Sequence, residues 1–144
     1  MLYKRFNDTY MLRIDKGEEI MHFLQAFCEQ ENITLAQVSA IGAADSAAIG
    51  VYDLETGKYH REDLPFFMEI ASLSGSVTEM NGKPYIHLHT VLADQQNRTH
   101  AGHLIEMTVG ATCEMFVRRL EGRVERRLDA EGTGLNLYDF GGKA

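Results

Sequence analysis

Residues 68–104 read MEIASLSGSVTEMNGKPYIHLHTVLADQQNRTHAGHL, and their alternation decides the fold. From Glu69 to Met80, Ser72, Ser74, Ser76 and Thr78 fall on one side of an extended chain and Leu73 and Val77 on the other, the period of a half-buried strand. Asn81-Gly82 is the dipeptide that a two-residue hairpin turn demands, because both turn positions need positive φ. A turn there sets Ser76 opposite His87 and Ser74 opposite His89. The polar run Asp94–Arg98 suits a second, longer hairpin loop, and centring it on Gln96 sets His89 opposite His103. The expected unit is a three-stranded antiparallel piece with Ser74, Ser76, His87, His89 and His103 on one face. Leu73, Val77, Ile86, Leu88, Leu92 and Leu104 form the other face.

Working outward, that apolar face needs a partner, and the sequence offers one helix. From Glu18 to Glu31 the residues Ile20, Phe23, Leu24 and Phe27 recur at helical spacing. Asp15 is placed to cap it, with Glu18 closing a capping box, and Asn32 to end it in the left-handed conformation. A strand Tyr10–Ile14 precedes the helix, and Met1–Thr9 reads as a polar lead-in. Leu35–Tyr52, rich in Ala and Gly, reads as two strands around a bend at Asp45. Glu55-Thr56-Gly57 signals a turn before a short strand around Tyr59, with His60 solvated, and Pro65-Phe66-Phe67-Met68 reads as a buried turn or a partner-facing patch.

On the C-terminal side, uninterrupted parity carries Tyr85, Val91, Ala101, Ile105 and Met107 onto the histidine face. A sheet face that is half apolar calls for a second partner, such as another copy of the chain. Gly110 marks a bend before a further strand, and Val124–Leu128 and Leu135–Phe140 complete the chain. Arg118, Arg119, Arg123, Arg126 and Arg127 are interspersed with acids and read as a solvated mixed-charge surface.

The fold class is therefore α/β of the α+β type, a mainly antiparallel sheet with one principal helix on one face. One domain is expected over residues 1–144, with its core at about 10–140. With 144 residues and 44% hydrophobic content, the chain has enough apolar mass for such a core. Its 14 basic and 21 acidic residues give a net charge of -7, the wrong sign for a chain that neutralises many phosphates by itself. Cys28 and Cys113 show no framework spacing and fit a reducing compartment; no signal-peptide core or membrane-length apolar run is present, so a cytoplasmic location is expected.

The histidines carry the chemistry. Directly opposed side chains have Cβ atoms roughly 5 Å apart and a zinc–imidazole bond is about 2.1 Å, so one ion can reach His87, His89 and His103. Zinc or another divalent metal held this way keeps a fourth position open for water, a small anion or a carboxylate, with Ser74 and Ser76 as pocket neighbours. The same open position would serve a metal-dependent hydrolase or lyase, but that needs a proton-transfer group. Parity puts Glu106 and His100 on the opposite face, and the sequence does not place Glu69 or Asp45 beside the site.

With the helix after LRID and the segment TCEMFV downstream, the quoted stretch resembles the PPC domain, named for its occurrence in plants and prokaryotes. The resemblance covers roughly Tyr10 to Phe140. It implies a compact domain that assembles as a homotrimer, with a metal site on paired histidines and a later Gly-Gly-His-Leu. Those positions correspond to His87, His89 and His103, with Ala101 in place of the first glycine. It also implies a regulatory or DNA-associated role, since plant relatives follow AT-hook segments. This chain carries no Arg-Gly-Arg-Pro core, so DNA contact through a hook is not expected.

Overall fold

A computed structural model describes residues 2–141. The element order is β1 (Leu2–Phe6), β2 (Thr9–Asp15), α1 (Ile20–Gln30), β3 (Ala36–Asp53), β4 (Lys58–Leu64), β5 (Met68–Met80), β6 (Lys83–Asp94), β7 (Thr99–Arg119), β8 (Glu125–Leu128) and β9 (Asn136–Asp139). All strands join one nine-stranded sheet, antiparallel except where β8 meets β5. β3 pairs with β5 and β7, and β6 bridges β5 and β7, so these four strands close into a circuit.

The two hairpins form in the expected register. Asn81 and Gly82 take φ of 54° and 74°, which brings Ser76 opposite His87 and Ser74 opposite His89. The Asp94–Arg98 loop sets His89 opposite His103; its Asp94 carboxylate accepts from the backbone N–H groups of Gln96 and Arg98 at 2.9 Å each. Leu73, Val77, Leu88, Leu92 and Leu104 are buried in one core with Phe23, Leu24 and Phe27 of α1. This is the helix on the apolar face that periodicity required.

Several expectations are corrected. The N-terminal stretch is no lead-in: β1 turns back on β2 through Asn7, whose φ is 55°. Tyr3 and Tyr10, one on each strand, donate to the two carboxylate oxygens of Glu31 at the helix end, at 2.5 and 3.0 Å. The helix cap is Glu19, which accepts from the backbone N–H groups of Met21 and His22, while Glu18 accepts from the Asp15 N–H at 2.8 Å. Asn32 does end the helix with φ 52°.

The two strands expected over Leu35–Tyr52 are one, the 18-residue β3 from Ala36 to Asp53, and β7 runs 21 residues through Gly110. The bends at Asp45 and Gly110 are present, but as bulges inside a continuing ladder, because the two irregular stretches lie against each other. A Cβ on Gly110 would come within 2.8 Å of the Ala44–Asp45 backbone, so glycine permits that crossing. A further bulge at Ile105 shifts the parity of β7: Leu104 pairs with Ile49, but Glu106 with Ala48. Met107 is consequently buried in the core and not on the histidine face, and Glu106 is exposed, paired with Arg61.

Candidate metal centre

The site is assembled by register. His87 and His89, two apart on β6, share a face, and β7 lays His103 against His89. Their ring nitrogens converge within 4.8 Å of one another, and the Nε2 atoms of His87 and His89 lie 3.2 Å apart. Tetrahedral coordination with bonds near 2.0–2.1 Å spaces its donors by about 3.3 Å, so that separation already suits a bound ion. His103 Nδ1 is buried without a hydrogen-bond partner among the described residues. A buried imidazole nitrogen left without a donor or acceptor is costly unless something occupies it, which is the behaviour of a ligand set that fits a metal.

The electrostatics agree. Burial pushes His87 down to about 4, helped by the neighbouring charges of His103, Arg126 and His89. Burial, and then His89, also lowers His103. Both rings are thus neutral at pH 7, the form that binds metal.

Glycines bring the walls close. Gly50 on β3 lies opposite His103, and a Cβ there would meet the Tyr59 ring at 3.0 Å. Without one, Tyr59 of β4 stacks on His103, with ring centroids 4.9 Å apart and planes at 28°. Gly102 faces the Gly50 backbone, where a Cβ would come within 2.9 Å of the carbonyl oxygen. A Cβ on Gly75 would fall on the His87 carbonyl, so β5 and β6 also need a glycine at their closest approach.

A cavity of about 540 Å³ opens in front of the rings, walled by Tyr59, Tyr85, Leu135 and Asn136, with Arg126 at its edge. Ser74 and Ser76 keep their places beside His89 and His87 but do not line it; the Ser76 hydroxyl lies 2.8 Å from the Tyr138 hydroxyl of β9. Asp45, 3.9 Å from Lys16, and His100, held between Asp94 and Glu62, are also outside the cluster. His60 is exposed and reaches Asp53.

The arginine cluster divides. Arg118, Arg123 and Arg127 pair with Asp8, Glu79 and Asp139, as a mixed-charge surface should. Arg126 does not: its guanidinium lies over the Tyr85 and Tyr138 rings at 4.6 and 4.4 Å and approaches His87 Nδ1 at 3.5 Å. The alternation of Glu125, Arg126 and Arg127 in a short strand was the sequence signal that would have separated Arg126 from its neighbours.

A model of the Plants and Prokaryotes Conserved (PCC) domain matches residues 1–121. The chain belongs to this family. Among solved structures, this PCC chain superposes on a candidate DNA-binding protein of Bacteroides thetaiotaomicron with a TM-score of 0.93 at 29% identity, covering 96% of each chain. It superposes on a metal-containing protein of Archaeoglobus fulgidus with a TM-score of 0.86 at 37% identity, covering 96% of this chain and 98% of the other. A curated relative, the bifunctional protein GlmU of a Synechococcus strain, is 33% identical over 133 residues; the match takes in 90% of this chain and 20% of GlmU, so the PCC chain spans a fifth of that relative. Among the described residues no helix is long and apolar enough to cross a membrane.

Proposed function

We propose that residues 1–144 form one PCC domain that binds a divalent metal, zinc in the first instance, through His87, His89 and His103, and that it works as a homotrimer in the cytoplasm in a regulatory or DNA-associated role. The observation that carries the metal reading is the convergence of three imidazoles, two of them held neutral, around one point beside a cavity. The metal-containing Archaeoglobus relative supports it. Self-association is supported by the outward-facing Met11, Phe116 and Ile41 on neighbouring strands of the sheet, each 46% exposed or more. The candidate DNA-binding relative supports the DNA-associated role, which a steep fall of duplex affinity with salt would verify.

When bound, the ion would supply Lewis acidity and one open coordination position. The protein's own residues position that centre: Tyr59 holds the His103 ring and the β6–β7 register holds the rest. A hydrolase or lyase reading is less well supported. Among the described residues no carboxylate lines the cavity to move a proton, and burial raises the Tyr59 phenol, which keeps it protonated and leaves little phenolate to act as a base. A small anion or carboxylate in the open position is the better-supported occupant.

Replacement of both His87 and His89 by alanine, followed by elemental analysis of protein purified without an affinity tag, tests the metal site. The native chain should hold about one ion and the variant none. Zinc at ~100 times its dissociation constant should also stabilise the native protein by about 2.7 kcal/mol, roughly 9 °C at this length. Equal zinc content in native and variant protein would sink the reading.

A further inference from the structure

We propose that Arg126 makes the cavity the receptor for an organic carboxylate, whose anionic head sits between the guanidinium and the metal and whose body lies against the tyrosines. This rests on the metal reading above and adds to it a ligand class and the residue that selects it.

The first observation is charge. The chain carries a net charge of -7, yet among the described residues no Asp or Glu lines this cavity. Among the described residues Arg126, like Arg119, pairs with no acid, while Arg118, Arg123 and Arg127 each do, and of these five Arg126 is the one that lines the cavity. A guanidinium with no carboxylate partner among the described residues contributes one positive charge beside the histidines, and a divalent ion held there would raise that to about three. Such a low-dielectric recess focuses its field on an anion.

The second observation is preorganisation. Arg126 Nε donates to Thr78 Oγ1 at 2.9 Å and Nη1 to the Asn136 carbonyl at 2.7 Å, with Tyr85 and Tyr138 on its faces. Nη2 is the nitrogen turned toward the histidines, and its one neighbour there is His87 Nδ1 at 3.5 Å. If His87 ligates through Nε2, the atom that faces His89, its Nδ1 carries the proton and cannot accept from the arginine. Metal binding therefore frees Nη2 for another acceptor, and a fixed guanidinium loses little entropy in taking it.

The third is size. About 540 Å³ is far more than a water or an inorganic ion needs, and falls within the range of small-molecule pockets. The remaining walls, Tyr59, Tyr85 and Leu135, present rings and an alkyl chain, which suit an apolar or aromatic body and not a second charge.

The test uses the full chain loaded with zinc, with benzoate and inorganic phosphate as probes in calorimetry, alongside Arg126→Gln and Arg126→Lys. The native protein should bind benzoate in preference to phosphate. Arg126→Gln should bind benzoate at least ten-fold more weakly with its zinc content unchanged, and Arg126→Lys should fall between. Equal benzoate affinity in native and Arg126→Gln protein, no benzoate binding by the native protein, or a preference for phosphate would each overturn the proposal. So would zinc loss in both arginine variants, which would make Arg126 a support of the metal centre. A native chain that takes up no zinc refutes the metal reading itself, and elemental analysis separates that result from the others.

Discussion

Gly102→Ala is the substitution that most directly links the fold to the metal centre. The new Cβ would lie 2.9 Å from the Gly50 carbonyl oxygen and 3.4 Å from its carbonyl carbon and nitrogen. Ordinary contact requires roughly 3.4 Å or more between such atoms, so β3 and β7 must part by about 0.5 Å at the row that holds His103. Strand backbone yields less readily than a flexible side chain, and overpacking of this kind costs typically 1–3 kcal/mol. The displacement also reaches the site, because Gly50 faces both His103 and the Tyr59 ring stacked on it. Ligand sets tolerate about 0.5 Å of misplacement, so zinc affinity should fall on the order of ten-fold. Urea unfolding of metal-free protein reads the first effect and competition with a chromophoric chelator the second. A variant within 0.5 kcal/mol of native stability, with unchanged zinc affinity, would refute the claim that this close approach shapes the centre.

Two further perturbations probe the frame. Leu88, fully buried between the two histidines of β6 in sequence, should cost about 2–5 kcal/mol when cut to alanine, and retention of native stability in chemical denaturation would contradict its place in the core. Asp53, at the β3–β4 turn, is held down at about 2 by the Thr56 hydroxyl, the Glu55 and Thr56 N–H groups and His60. Its carboxylate is favoured in the folded state, so its contribution is present above the unfolded value of about 3.9 and is lost as pH falls toward 2. The stability gap between native and Asp53→Asn protein should therefore close over that window, and a gap independent of pH would reject the assignment.

How far the sequence could be read depended on whether the period of two survived. Residues 68–104 hold it on both sides of an Asn-Gly turn, so register, core face and the meeting of His87, His89 and His103 could all be worked out by counting. In β3 and β7 counting fails, because bulges at Asp45 and Ile105 each exchange the faces: the small residues around Asp45 announce the first as a bend, but nothing in Leu104-Ile105-Glu106 announces the second. Met107 and Glu106 were misplaced for that reason. The helix was legible from its apolar stripe, but its cap was not: Glu19 is a weaker capping type than Asp15 and is recruited by tertiary contact, accepting also from the Met107 N–H. β1 was hidden by its polar content, although Asn7-Asp8 carries the turn signal that could have revealed it.

The site itself divides along the same line. The histidines sit on long paired strands whose register is specified by a buried face, within the residues that the family model matches. Arg126 arrives on β8, a four-residue strand beyond that range, which meets β5 at one residue pair, Glu79 and Glu125. So short a ladder cannot by itself hold an arginine in place. The work falls to side chains: Arg123 on the buried Glu79, Arg126 on Thr78 and between Tyr85 and Tyr138, and Tyr138 on Ser76. Ser76, expected from its parity to sit at the ligand, instead ties down the hairpin whose arginine faces it. Loss of the Ser76 hydroxyl should therefore loosen the arginine wall while leaving the histidine register, which rests on backbone pairing, intact.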